Sequence, residues 1–272
     1  MIHHIDPELL RRPVQVVLVG AGGTGSHVMR RLPVLHNAMI DLGHPGGLDV
    51  TVYDPDVVSK TNVGRQAFSL SDVGLSKAEI LVHRCNMGHL TNWEARQEKF
   101  TAHSPISADI VIGCVDNRAG RKEILSSCES SYQSRYWLDF GNRAHDGQVI
   151  LGQIIRKSAL AEKGAIRLPH VANLYPELVD ASLDDKDETP SCSLAEALEK
   201  QSLFINDTLA LVGITMLQRL FRYGQLSYHG EFINSEVGRV NPLAVDPEAW
   251  KRFGYEPKEA KPKRTRSKKF VS

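Results

Sequence analysis

The sequence predicts an α/β protein: a mostly parallel sheet with helices on both faces, followed by an antiparallel C-terminal extension. Three observations predict it. Short apolar, β-branched runs alternate with longer segments of helical period through the first half of the chain. A glycine-rich turn directly follows the first of these runs. Beyond about residue 147 the pattern changes to polar–apolar alternation, the mark of strands with one solvated face.

The elements follow in order. Val14–Val19 ends at Gly20 and reads as a buried parallel strand. A helix is expected over about 26–42, with Pro33 ending or kinking it, and His44-Pro-Gly-Gly47 is the turn beyond. Strands are expected at 48–53, 93–100, 108–115 and 136–140, with helices at 76–85 and 118–133. Residues 147–156 alternate like an antiparallel strand. From 179 to 190 the chain is aperiodic and acidic (Asp180, Asp184, Asp185, Asp187, Glu188), which reads as a mobile loop. Ser193 and Glu196 stand at capping-box spacing, so a helix is expected from 193 to about 223 with Leu198, Leu209, Val212, Met216 and Leu220 on its apolar face. Short strands over 226–234 and 236–240 close the domain.

Composition excludes several classes. Of 272 residues 42% are hydrophobic and 24% charged, ordinary values for a globular protein. The net charge of +1 is uneven: seven Lys/Arg against one Glu from Lys258 onward leave −5 on the rest. A mildly acidic body argues against a nucleic-acid face on the fold, and the tail 258–272 reads as a flexible basic end through which any such contact would run. Cys85, Cys114, Cys128 and Cys192 form no CxxC pair, so no zinc site or disulfide framework is expected. With no signal pattern and no membrane-length apolar run, a cytoplasmic protein is the simplest reading.

Gly20-Ala-Gly-Gly-Thr-Gly25 fits G-x-G-x-x-G between a predicted strand and helix, the setting of a Rossmann-like nucleotide loop. Gly20, Gly22, Gly23 and Gly25 permit the tight turn and close phosphate approach, and the helix N-terminus offers unpaired N–H groups to negative charge. The alternative is a merely tight strand-to-helix turn. Asp54, 29 residues past Gly25, ends the second strand and is the candidate ribose ligand; otherwise it is a turn residue before Pro55.

The next segments narrow the choice. Asp54-Pro-Asp56-Val-Val-Ser-Lys-Thr-Asn62-Val-Gly-Arg65-Gln66 resembles the D-x-D-x-V-x-x-S-N-L-x-R-Q segment of the ThiF/MoeB and ubiquitin-activating-enzyme family, with Thr61 and Val63 as mild departures. Val73-Gly-Leu-Ser-Lys77-Ala resembles its G-x-x-K-A segment, and Asp116-Asn117-Arg-Ala-Gly-Arg121 its D-N-x-x-x-R segment. The match is strong over 14–140 and only in outline beyond. The resemblance implies one adenylation domain over 1–257, with a nucleotide half at about 14–140 and a partner-binding, crossover half at about 141–257. It implies ATP and Mg²⁺ as cofactors, a homodimer, and a ubiquitin-like or sulfur-carrier partner whose C-terminal Gly-Gly carboxylate is adenylated. Asp116 resembles the family's magnesium-linked aspartate.

The chemistry fits those residue types. Adenylation must orient a poor nucleophile and neutralise a triphosphate, and Asn62, Arg65 and Lys77 are suitable donors. Singly, each has a plainer role: Lys77 on a solvated helix face, Arg65 in a surface ion pair, Asp116 as a helix cap. Arg11 or Arg12 could reach a neighbouring subunit's site, as in the family, or simply end a short basic helix. Cys192, in Thr189-Pro-Ser-Cys192-Ser, resembles the family's crossover-loop cysteine and is the candidate thioester nucleophile; the alternative is an inert loop thiol. Cys85, Cys114 and Cys128 read as packing residues. Pro190-Ser-Cys-Ser-Leu-Ala and Asn206-Asp-Thr-Leu-Ala are similar to the ThiF-family member of the bacterial PRTRC cluster. Three readings compete: adenylation of a small-molecule or peptide carboxylate, a nucleotide-sensing scaffold, and an NAD-dependent oxidoreductase.

Overall fold

The computed structural model describes residues 1–105, 107–154, 167–184 and 202–257. Strands β1 (His3–His4) and β2 (Val14–Val19) are followed by α1 (Gly23–Asp41), β3 (Leu48–Tyr53), α2 (Lys77–His89) and β4 (Glu94–Arg96). Next come β5 (Ile110–Gly113), α3 (Arg118–Ser130), β6 (Tyr136–Asn142) and β7 (Asp146–Gln153). The short α4 (Val171–Leu174) precedes α5 (Ile205–Tyr223), β8 (Gln225–Leu226), β9 (Tyr228–Asn234), β10 (Arg239–Ala244) and α6 (Pro247–Lys251).

An eight-stranded sheet runs β10-β9-β7-β6-β5-β2-β3-β4. Its five strands from β6 to β4 pair in parallel, and β7, β9 and β10 add on antiparallel. The expected architecture is therefore present, extension included. β2 lies between β3 and β5, so the chain reverses its direction of winding there, and the carboxyl ends of β2 and β5 border the crevice where ligands bind in such sheets.

Alternation along the buried strands explains why helices cover both faces. Val16 and Leu18 of β2 join one core with Met29 and Leu32 of α1, Leu81 of α2 and Leu217 of α5. Val17 and Val19 point the other way, into a core with Ile124 and Cys128 of α3 and Trp250 of α6. Each such aliphatic side chain contributes about 1.5–3 kcal/mol on full burial.

α1 runs through Pro33, so of the two expected outcomes the helix does not end there. Proline leaves the Met29 carbonyl without its N–H partner four residues on, and the Cys85 thiol of α2 donates to that oxygen at 3.5 Å. Three other elements differ from expectation. The continuous helix from 193 is corrected: the Ser202 N–H donates to Ala144 O at 2.7 Å and residues 203–204 turn, so α5 starts at Ile205. Residues 193–201 lie outside the described residues. β4 is three residues, not eight, and at its start the Asn86 side chain takes the Trp93 N–H at 2.9 Å, so the strand begins at Glu94. The last strand begins at Arg239, not 236: Asn234 Oδ1 accepts from Glu236 and Val237 N–H at 3.0 and 3.2 Å, which makes a turn there. Among the described residues no helix is long and apolar enough to cross a membrane.

Candidate functional site

The four loop glycines do different work. Gly20 has φ +91° and lies so close to β5 that a Cβ would meet Cys114 O at 2.8 Å. At Gly25 a Cβ would run into the Gly20 carbonyl, so this glycine closes the turn on itself. At Gly23 it would meet the Asn206 amide at 2.9 Å. Gly22 alone of the four has nothing within 4 Å of that position. It precedes the first turn of α1 without a side-chain cap, so the helix N-terminus has an open approach.

Asp54 ends β3 and is buried beneath this loop. Its Oδ2 accepts from Ala21 N–H at 2.6 Å and its Oδ1 from Asp56 N–H at 2.9 Å. Burial pushes its carboxyl above the usual range, opposed by those two donors and by the charge of Lys77. Asp54 thus braces the loop, with lone pairs left on both oxygens for a ribose hydroxyl.

The segment from 56 to 77 folds back on itself. Val58 and Gly74 N–H groups donate to Leu75 O and Val58 O at 2.8 Å each, and Lys77 N–H to Asp56 O at 3.0 Å. This closure sets the buried Lys77 ammonium 2.8 Å from the exposed Asp56 carboxylate. Two contacts tie the segment to α1: Ala67 N–H donates to Ser26 Oγ at 3.0 Å, and His27 Nε2 lies 3.3 Å from Arg65 O. Asn62 is buried, and its Oδ1 accepts from Ser59 N–H at 2.8 Å, which leaves the NH₂ end to donate outward. Arg65 is half-buried and donates through Nε to Thr61 O at 3.2 Å; burial lowers its pKa. The buried Gln66 Oε1 is an acceptor without a partner, the kind of atom a bound ligand satisfies.

Beyond β5 the chain passes Asp116 and Asn117 into α3. Asn117 Oδ1 accepts from Gly120 N–H at 2.7 Å, so the helix cap is Asn117. Asp116 is exposed, and its Oδ1 accepts from Asn117 Nδ2 at 3.0 Å. The remaining N–H groups of that terminus, from Arg118 and Ala119, donate to Asp184 at 2.9 Å each, a carboxylate sequence reasoning had placed only in a loop.

Other candidates lie elsewhere. Arg12 forms a bidentate pair with buried Asp109 at 2.6 and 2.7 Å, at the opposite end of the sheet from the glycine loop. Its guanidinium serves its own chain. Arg11 pairs only with Glu8 at 3.1 Å and stays exposed. Cys192 lies outside the described residues. Burial pushes the Cys85 thiol up to about 11 and Cys128 up to about 12, and Cys114 well above its ordinary value, as packing residues require.

Three further polar groups lie near the site and were not among the candidate site residues. Asn206 reaches Thr24 and Asn142; Asp207 sits 3.2 Å from His27 Nδ1; and Asp139 of β6, raised to about 6 by burial against the opposing charge of Arg121, pairs with Gly113 of β5. The motif Asn206-Asp-Thr-Leu-Ala marked the first two only as a resemblance, and Asp139 only as a polar residue interrupting an apolar run.

A glycine loop at the reversal point of a doubly wound sheet, braced by an aspartate from the next strand, defines a Rossmann-like nucleotide-binding protein. The particular lineage follows from comparison: the ThiF family model matches residues 8–244, and the chain belongs to the ThiF family. Among solved structures it is similar to E. coli MccB with ATP, at TM-score 0.54 and 17% identity over 87% of this chain and 64% of that one. MccB with MccA-N7isoASN gives TM-score 0.55 and 17% identity over 85% and 64% of the two chains. PaaA gives TM-score 0.55 and 10% identity over the same shares. The chain thus spans under two thirds of these proteins' length. No curated protein sequence matches it.

Proposed function

We propose that this protein adenylates a carboxylate with ATP, and that its substrate is the C-terminal Gly-Gly carboxylate of a ubiquitin-like or sulfur-carrier protein. The observation that supports the reading is that the open helix N-terminus at Gly22, the segment carrying the half-buried Arg65 and buried Lys77, and the exposed Asp116 follow the neighbouring strands β2, β3 and β5. A hydride-transfer enzyme has no use for that cationic set. A scaffold has no physical need to bury a lysine there.

The residues fit ATP. Backbone N–H groups of the glycine loop receive the phosphates, Asn62, Arg65 and Lys77 neutralise them, and Asp54 takes the ribose. Gln66 Oε1 is placed to accept from the ligand. Among the described residues no cluster of three metal-ligating side chains exists, and Mg²⁺ does not need one: a single carboxylate, phosphates and water suffice, with Asp116 as the protein ligand. When bound, the ion supplies Lewis-acid stabilisation of the leaving phosphates.

In the reaction the substrate carboxylate oxygen attacks the α-phosphorus and forms the acyl–phosphate bond. The bond to the β-bridging oxygen breaks, and pyrophosphate leaves with the electron pair. No proton need move; the chain's contribution is alignment and charge. In the proposed homodimer, Arg11 is the arginine left to reach the neighbouring site, because Arg12 is held by Asp109. Cys192 would accept the acyl group in a following thioester step with release of AMP.

A peptide carboxylate is the second reading, supported by the fold shared with MccB, which has been solved with MccA. ATP–pyrophosphate exchange with Mg²⁺ decides. Exchange that requires a ubiquitin-like protein and stops when its last glycine is deleted supports the first reading. Exchange with a short peptide alone transfers the proposal to the second, and ATP binding without exchange on either substrate refutes adenylation.

A further inference from the structure

The phosphate loop and the helix it opens come from the first third of the chain, yet they rest on two consecutive residues at the start of α5. Asn206 is 2% exposed. Its Oδ1 accepts from Thr24 Oγ1 at 3.0 Å and from Asn142 Nδ2 at 2.6 Å, so one oxygen ties the first turn of α1 to the end of β6. Its amide fills the space beside Gly23, where a Cβ would stand 2.9 Å from Nδ2. Held by these bonds, the amide cannot swing aside as a free side-chain end would. Asp207 grips the same helix one turn on: Arg31 donates to its Oδ1 at 2.5 Å, with His27 Nδ1 at 3.2 Å. The other nitrogen of His27 meets the Arg65 carbonyl at 3.3 Å.

We propose that Asn206 is a positioning residue for nucleotide binding, wedging Gly23–Thr24 so that the N–H groups at the start of α1 face the phosphates, with the Asp207–Arg31 ion pair holding the same helix. The inference rests on the nucleotide-site reading above, and names a residue that touches no nucleotide itself. It also explains Gly23, which is glycine because Asn206 occupies its side-chain space, whereas Gly22 is open to the ligand. An error of about 1 Å in such a cradle is enough to cost orders of magnitude in a reaction that depends on alignment.

The test is a double-mutant cycle on ATP affinity, read by calorimetry so that no acyl acceptor is needed. Wild type, Gly23→Ala, Asn206→Ala and the double variant are titrated well below their melting temperatures, with circular dichroism to establish that each is folded. Each single change is expected to raise Kd about tenfold or more. The double variant is expected to bind more tightly than Gly23→Ala, because removing the amide makes room for the new methyl. A filler role would lower the melting temperature without this crossed effect on Kd. If the two penalties simply multiply, or if folded Asn206→Ala binds ATP like wild type, the inference falls. If wild type itself binds no ATP, the nucleotide reading falls and this inference with it. Should either variant fail to fold, Thr24→Val removes the hydroxyl donor while keeping its shape, and an unchanged Kd there overturns the proposal equally.

Discussion

Asp116 and Asn117 are neighbours with opposite expected consequences. Asn117 spends its Oδ1 on Gly120 N–H at 2.7 Å and caps α3, whereas Asp116 stands exposed with one contact, to Asn117 itself. Replacing an Asn cap by Ala costs about 1 kcal/mol, within a range of about 0.5–2. For a domain near this size that corresponds to about 2–4 °C in melting temperature. Asn117→Ala should therefore melt a few degrees early and, at saturating ATP, retain pyrophosphate exchange within about threefold, since less than about 0.7 kcal/mol of barrier is at stake. Asp116→Ala should melt within about 1 °C of wild type, as exposed substitutions do, and lose exchange by about a hundredfold or more, the scale of removing one preorganised electrostatic partner. Differential scanning fluorimetry and the exchange assay read both. Exchange lost in Asn117→Ala at an unchanged melting temperature would show that Asn117 contacts nucleotide, and the cap argument would be wrong. Exchange retained by Asp116→Ala would remove the aspartate from the site.

Two further predictions concern acid stability and the thioester. His229 is fully buried, donates through Nδ1–H to Leu151 O at 2.8 Å, and is lowered to about 4 by burial. Its folded pKa lies below its unfolded value near 6.5, so its contribution is intact above about pH 6.5 and is lost as pH falls toward 4. Between pH 7 and 5 the loss is about 2 kcal/mol, so urea unfolding of His229→Gln should show that much less pH dependence than wild type; equal dependence would mean the imidazole is not buried neutral. Cys192→Ala should leave pyrophosphate exchange intact and abolish any reducible acyl adduct, and an adduct that persists would assign the thioester to another thiol.

How much was legible depends on how local each signal is. The buried strands β2, β3, β5 and β6 stand out as apolar runs because both faces are covered. The glycine loop is legible because the positive φ of Gly20 and the closure of Gly25 on the Gly20 carbonyl are local requirements, although Cys114 also crowds Gly20. Which glycine faces ligand was not: Gly22 and Gly23 look alike in sequence, and only Asn206, far along the chain, separates them. The start of α5 was missed for a similar reason, since its boundary is set by Ala144 capturing Ser202. Asp116 and Asn117 both fit a family motif, and the capping geometry that divides their tasks belongs to three dimensions. The Met29 carbonyl rescued by Cys85 could not be foreseen from Pro33 alone.

These long-range ties bear on how the protein is organised. A division at about residue 140 into a nucleotide half and a partner half describes the sequence, but not the mechanics. Asn142 at the end of β6 and Asn206 and Asp207 on α5 hold the first turns of α1, and His27 of that helix lies 3.3 Å from the Arg65 carbonyl. Asp184, from the same second half, caps α3 directly beside Asp116. Asp184 and the Asn206–Asp207 pair thus anchor to the start of α3 and to the first turns of α1, the two places proposed above to hold the nucleotide. An acceptor that shifts either anchor must work against these hydrogen bonds. Nucleotide binding and acceptor binding should consequently be coupled, and by linkage each must change the other's affinity by the same factor. Titrating ATP with and without the acceptor, then the acceptor with and without a non-hydrolysable ATP analogue, measures that factor twice; a factor of one in both directions would mean the two halves act independently despite their shared anchors.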